Sequence, residues 1–217
     1  MEKTMTWDTL GDNATGKTHL AVVGDPEAGG AQRPCQETIH PACFPEPDLI
    51  NLFSCWQSFK GLKAIPPRSA VDPTLLPRKL LQNISIIERL ISSDGERFRY
   101  RLAGTAIEQA AGRSLTWTYL DELLPATGYG AQVRRQLGLL TQLEAPVYAE
   151  GVYLTFINDR TGLRTTCHLM LPLADDEGEV RYVLAAQTFG TLRNLNHAPF
   201  LEADDYQPGR TAVVRVR

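Results

Sequence analysis

Cysteine is scarce: the 217 residues hold four, Cys35, Cys43, Cys55 and Cys167. That is too sparse for a disulfide-stapled fold, and in a reducing compartment all four read as thiols, with Cys55 and Cys167 packed as small hydrophobes inside apolar patterns. An apolar run long enough to cross a bilayer, about 20 residues, is absent, so no membrane span is expected. Basic residues hold no excess either. Lys and Arg number 22 against 25 Asp and Glu, a formal charge of −3, which leaves no electrostatic footprint for nucleic acid or an anionic membrane. The first residues, Met1 to Asp8, lack the basic-then-apolar order of a secretory signal, and a cytoplasmic location is the expectation.

Catalytic signatures are equally thin. Gly11-Asp12-Asn13-Ala14-Thr15-Gly16-Lys17-Thr18 satisfies the P-loop pattern letter for letter. The chemistry needs a buried strand before the loop and a helix after it, so that backbone N–H groups converge on phosphate. Thr4 to Leu10 is a poor core strand, and Val23-Gly24-Asp25-Pro26 breaks any helix early, so the match is read as chance. Cys35, His40, Cys43 and Cys55 match no compact zinc spacing and are interleaved with prolines; no metal site is assigned. The histidines His19, His40, His168 and His197 accompany no nucleophile motif, and the chain is not read as an enzyme.

Composition divides the chain into three. Residues 1–47, rich in Gly, Pro, Thr and acids, read as a tail that buries too little surface to offset its ordering entropy. Residues 194–217 read as a second tail, with a short strand or a frayed end over Thr211 to Val216. One domain, 48–193, lies between. Leu49, Leu52, Phe53, Trp56 and Phe59 recur at helical spacing from an expected Asp48 cap to a stop at Gly61. Asp72 caps a short turn with Pro73 at its first position. Strands are expected over Asn83–Ile91, Arg97–Leu102, Pro146–Ile157, Arg164–Leu171 and Val180–Phe189. Short helical pieces are expected over Ala106–Ala111 and Tyr119–Leu124, and a longer helix over Tyr129–Gln142 with Val133, Leu137 and Leu140 on one stripe. Phe98, Tyr100 and Leu102 alternate with Arg99 and Arg101, which assigns the former to a buried face and the arginines to a wet one. The same alternation groups Cys167, Leu169 and Leu171 and turns His168 to the outer face. The sum is an α+β fold: a five-stranded antiparallel sheet with helices packed on one face and an N-terminal flanking helix.

Five blocks of residues sharpen this. Trp56 on the leading helix precedes Pro67-Arg68 and Asp72-Pro73. Then come Arg99-Tyr100-Arg101-Leu102-Ala103-Gly104-Thr105, Gly112-Arg113-Ser114-Leu115-Thr116-Trp117, and Leu171-Pro172-Leu173-Ala174-Asp175-Asp176. Over roughly residues 49 to 190 the chain resembles the PAS-domain superfamily, in particular a proteobacterial PAS-like family. Trp117 departs from that pattern by standing where a glycine is expected; if the position needs positive φ, the tryptophan is strained or the turn is reshaped.

The resemblance implies a sensory or regulatory module that binds a small organic ligand and signals through a partner protein or a homodimer. The alternative is an interaction or dimerisation module with a filled core. The candidate pocket is Tyr100, Leu102, Trp117, Tyr119, Leu120 and Leu137; the candidate dimer helix carries Leu49, Leu52, Phe53, Trp56 and Phe59. Haem is disfavoured, because the helix beside the pocket holds no histidine. Flavin photochemistry is disfavoured, because no cysteine stands between Cys55 and Cys167. With no output domain in the sequence, the signal is expected to leave through that partner or through self-association.

Overall fold

The computed structural model describes residues 37–93, 95–157, 160–190 and 206–216, with side chains of 153–164 excluded. The P-loop-like motif, Cys35, His19 and His197 lie outside these residues. The described residues belong to one compact unit, which begins at Gln36.

The strands are β1 (Thr38–Ile39), β2 (Ile84–Ser92), β3 (Gly95–Ala103), β4 (Val147–Ile157), β5 (Arg160–Ala174), β6 (Val180–Phe189) and β7 (Gln207–Val214). The helices are α1 (Pro47–Lys60), α2 (Thr105–Ala111), α3 (Leu120–Leu123) and α4 (Gly128–Leu143). The strands form one seven-stranded sheet in the order β1-β7-β4-β5-β6-β2-β3. The five expected strands form a contiguous antiparallel block ending at the β3 edge, but the sheet is mixed, because β7 pairs antiparallel with β4 and β1 then adds in parallel to β7. The expected domain limits are therefore too narrow at both ends. Ile39 and Phe44, assigned to a tail, are buried, and so are Ala212 and Val214.

The expectation of helices on one face also needs correction, because both faces are covered. On one side α2, α3 and α4 contribute Ile107, Leu120, Val133, Leu137 and Leu140 to a core with Ile87, Tyr100, Met170 and Val183. On the other, Leu49, Leu52, Phe53 and Trp56 of α1 pack on Ile86, Leu169, Leu171, Leu173 and Leu184. Central strand β5 feeds both cores, which is why its sequence is continuously apolar from Leu169 to Leu173.

Helix α1 starts two residues earlier than Asp48 predicted. Pro47 occupies the first helical position, Glu46 precedes it, and Asp48 falls in the first turn, where a negative charge suits the helix dipole. Its stripe is spent within the chain. Trp56 is 1% exposed, and its Nε1–H donates to the carbonyl of Pro172 at 2.8 Å. The dimer role expected for Leu49, Leu52, Phe53 and Trp56 is thereby corrected: the helix offers no apolar stripe to a second subunit, and Phe59 at its end is partly buried against the same core. Pro172 sits inside a central strand without loss because β4 pairs no further than Met170. Beyond that point Pro66 takes over, accepting the Ala174 N–H at 2.9 Å.

Two glycines explain parts of the recurring blocks. Gly112 ends α2 at φ 67°, in the left-handed region. Gly104 lies where a Cβ would meet the Gln82 carbonyl oxygen at 2.3 Å, so the turn leaving β3 passes directly against the segment entering β2.

Two outcomes follow for stability. Trp56→Ala should cost about 3–5 kcal/mol in urea unfolding, with no change of oligomeric state by light scattering at native pH. Gly104→Ala should cost roughly 1–3 kcal/mol, since the clash is with backbone that cannot swing aside.

Candidate functional site

The side of the sheet beneath α4 is where polarity is concentrated in the core. Tyr129, Gln132 and Gln136 face inward among Val133, Leu137 and Leu140, and all six are buried. Opposite them stand Thr166 and His168 on β5 and Gln187 on β6, also buried, with His168 and Gln187 directly in register. Ala149 of β4 is in register on the other side of His168, and its small side chain leaves room for the imidazole.

The contacts form a chain. His168 Nδ1 lies 3.1 Å from Gln136 Oε1, and His168 Nε2 lies 3.2 Å from Tyr129 Oη. Tyr129 Oη donates to Gln187 Oε1 at 3.2 Å, and Gln187 Nε2 donates to Thr166 Oγ1 at 3.3 Å. Gln132 Nε2 donates to Thr211 Oγ1 of β7 at 2.6 Å. The Tyr129 ring meets His168 edge-on at 5.5 Å and Tyr206 edge-on at 5.4 Å.

Proton counting constrains this chain. Tyr129 has one hydroxyl proton, so when it donates to Gln187, His168 must present Nε2–H to the tyrosine oxygen. A neutral imidazole then has a bare Nδ1, which needs an N–H from Gln136, so the amide turns its Nε2 inward and its Oε1 out. With Oε1 inward instead, a neutral ring protonated at Nδ1 closes the contacts when Tyr129 donates to Nε2 and Gln187 turns its Nε2 toward the tyrosine oxygen and its Oε1 toward the Thr166 hydroxyl. In that orientation Gln136 Nε2 is buried with no partner among the described residues. An unmatched buried polar group of this kind costs about 1–3 kcal/mol.

Burial favours the neutral ring. Desolvation pulls the His168 pKa down to about 4, with hydrogen bonding to Gln187 opposing it. Among the described residues, the buried polar set contains no Asp, Glu, Lys or Arg to compensate a charge there.

The expected outer-face position of His168 is thus a misassignment of which sides of the sheet are covered. The alternation itself is right: Cys167, Leu169 and Leu171 pack against α1 while His168 points the other way, but that way is the α4 core. The Cys167-His168-Leu169-Met170-Leu171 run, with no polar alternation after His168, is the signal of two-sided burial. The inward glutamines at 132 and 136, in helical phase with Val133 and Leu140, were the second missed signal.

The expected pocket set separates. Tyr100, Leu120 and Leu137 come together in the α4 core, where burial pushes the Tyr100 phenol up to about 12. Leu102 does not join them and is 50% exposed. Ile87 pairs with Tyr100 but Ile86 pairs with Leu102, so Arg101 is an extra residue in β3, and the bulge turns Leu102 to the opposite face. Trp117 is 55% exposed and takes φ 70°, the strained outcome that its replacement of glycine implied. The left-handed backbone costs a non-glycine residue about 1–2 kcal/mol. Its ring lies against Arg101 at 4.4 Å and Arg99 at 5.2 Å. Tyr119 is half-buried beneath Arg97 at 3.8 Å, which also pairs with Asp121 and Glu122 of α3. The arginines do stand on the outer part of β3, and Arg99 is ion-paired to Glu88 at 2.6 Å.

On the α1 face, Tyr148 donates to Glu150 at 2.9 Å, and burial pushes the Cys167 thiol up, away from the reactive thiolate. Cys55 is raised by burial as well, and its thiol donates to the Leu75 carbonyl at 3.2 Å. His40 Nδ1 accepts the Ala42 N–H. An open cleft of about 270 Å³ at the end of the sheet is lined by Glu88, Arg89, Ile91, Asp175, Arg181 and Tyr182. Within it Arg181 pairs with Asp175 at 3.3 Å, while Arg89 and Glu88 pair with Glu96 and Arg99 outside the lining.

The family model described as PAS domain matches residues 45–188, more than half of the chain. The chain belongs to the PAS domain family. Membership makes it a sensory, regulatory or interaction module of a generally non-catalytic kind. The matched span of this PAS domain runs from just before α1 to Thr188 in β6 and so contains His168 with Tyr129, Gln136, Gln187 and Thr166, while Thr211 lies beyond it. No curated protein matches the sequence significantly. No helix among the described residues of the PAS domain is long and apolar enough to cross a membrane.

The depressed His168 pKa has a defined sign. The folded state holds fewer protons than the unfolded chain between pH 6.5 and about 4, so stability is full above 6.5 and falls as pH drops through that window. The loss should reach about 3 kcal/mol in urea midpoints taken across it. His168→Gln should flatten that window and leave the slope below pH 4 to the carboxylates.

Proposed function

We propose that this PAS domain is a small-molecule sensor whose ligand enters the core between α4 and the sheet, and that the signal leaves through a partner protein or self-association. The observation that carries the reading is the polar chain Gln136–His168–Tyr129–Gln187, placed in an otherwise apolar core with one amide end unmatched. A core serving only stability gains nothing from such a chain, since apolar residues of equal volume would serve as well. Tyr100, Leu120 and Leu137 supply the apolar lining. A cytoplasmic location and a homodimeric or hetero-partnered state complete the proposal.

The sheet and α4 are the two-state element. A ligand seated between them shifts the balance of packings only by as much as it binds one better than the other. Helix α1 lies on the opposite face of the same strands, tied to β5 by the Trp56–Pro172 hydrogen bond, and so reads any change in β5.

A second reading, an interaction module with a filled core, is favoured by the close packing of Tyr100, Leu120 and Leu137. Native mass spectrometry of the protein purified from its own host separates the two. The sensor reading expects a retained small mass that denaturation releases. An apo mass alone, with a stable oligomer, would transfer the function to the filled-core module.

A further inference from the structure

The free end of the Gln136 amide says what kind of molecule the site would recognise. Gln136 is 1% exposed, and its other end is fixed by His168 at 3.1 Å. With Oε1 on His168, the Gln136 Nε2–H group has no partner among the described residues. The group therefore asks for a hydrogen-bonding partner that itself lies inside the core.

Charge narrows the choice. Among the described residues, the buried polar set holds only Ser85, Gln132, Gln136, Thr166, His168, Gln187 and Thr188, with no cation to receive a carboxylate and no anion to receive an ammonium. An ionised ligand would lose its hydration without a counter-charge. The rest of this core is apolar or aromatic, with Val133, Leu137, Leu140 and Met170 packed in it and the Tyr129 ring set edge-on to Tyr206.

We propose that the site takes a small uncharged carboxamide or lactam, whose polar edge hydrogen-bonds the free end of Gln136 and whose body packs on the Tyr129 side of the α4 core. This rests on the reading of the α4 core as the sensory site. An amide edge carries both a C=O and an N–H, so it pairs with Gln136 in either orientation. Gln136 is the specificity residue, and His168 is a positioning residue that holds the amide through Nδ1.

The test is a titration of the full ¹⁵N-labelled chain followed by NMR. The Gln136 side-chain amide pair is identified by its absence in Gln136→Met, which keeps the side chain's length. Acetamide, 2-pyrrolidone and benzamide form a size series. Benzoate and ethylbenzene are the charged and apolar controls. The expected result is a saturable shift of the Gln136 pair with at least one amide, weakened roughly tenfold in Gln136→Met. If Gln136→Met does not fold, the comparison of benzamide with the two controls on the native chain decides alone.

Benzoate or ethylbenzene binding as tightly as benzamide would overturn the amide class and leave the sensor reading standing. No saturable shift with any amide, together with a cross-peak from the Gln136 pair to a long-lived water, would overturn the inference and assign the free end to solvent. The sensor reading stands or falls separately, on the mass retained by protein from its own host.

Discussion

Burial of β5 on both faces is the constraint on which the rest of the structure depends. A strand with one wet face alternates apolar and polar residues, and its partners need cover only one side. Leu169, Leu171 and Leu173 instead face α1, while Met170 and Ala174 face the helices following β3. Each face then needs its own layer, and the chain supplies one between β1 and β2 and one between β3 and β4. The Pro172 carbonyl adds direction to this packing, because a single indole N–H from α1 fixes where the first layer sits along the strand.

Within that frame the two faces differ in kind. The α1 side is closed by leucines and by the stacking of Phe44 on Tyr148 at 4.8 Å, and its polar groups lie toward the rim, as where Thr188 donates to Glu46. The α4 side carries its polar groups at the centre. Their placement follows the strand register, since His168 and Gln187 are paired across β5 and β6 and so meet the same turn of α4. A single residue's slip in either strand would send one of them to the leucine side.

Much of this was legible in the sequence, and the failures share a physical origin. The α1 stripe, the Asp72–Pro73 turn, β6 and the apolar stripe Val133, Leu137 and Leu140 of α4 follow from local periodicity, which the structure leaves intact. Asp72 does accept the Thr74 N–H at 2.8 Å. What local periodicity does not carry is which sides of a sheet are covered and where a strand gains a residue. His168 was misplaced for the first reason and Leu102 for the second. Strand β1 was missed, and β7 was foreseen only as a short strand or frayed end over Thr211 to Val216, because each is short or polar and is held by its neighbour's backbone. Val213 N–H, for example, donates to the Glu37 carbonyl at 2.9 Å.

The bulge at Arg101 has a bearing on how copies of this chain could meet. Strand β3 is the long edge of the sheet, and an even edge is a template on which another strand can add. Here the extra residue breaks the spacing of the backbone groups. The Trp117–Tyr119 segment occupies part of the edge through Tyr100, whose N–H and C=O are both taken by it. Arginines 97, 99 and 101 stand over the aromatic rings of that segment. An approaching strand would find the ladder out of step and already partly paired. Association at this edge would have to proceed through side chains, which allows partners to separate again, rather than through a sheet continued across two chains.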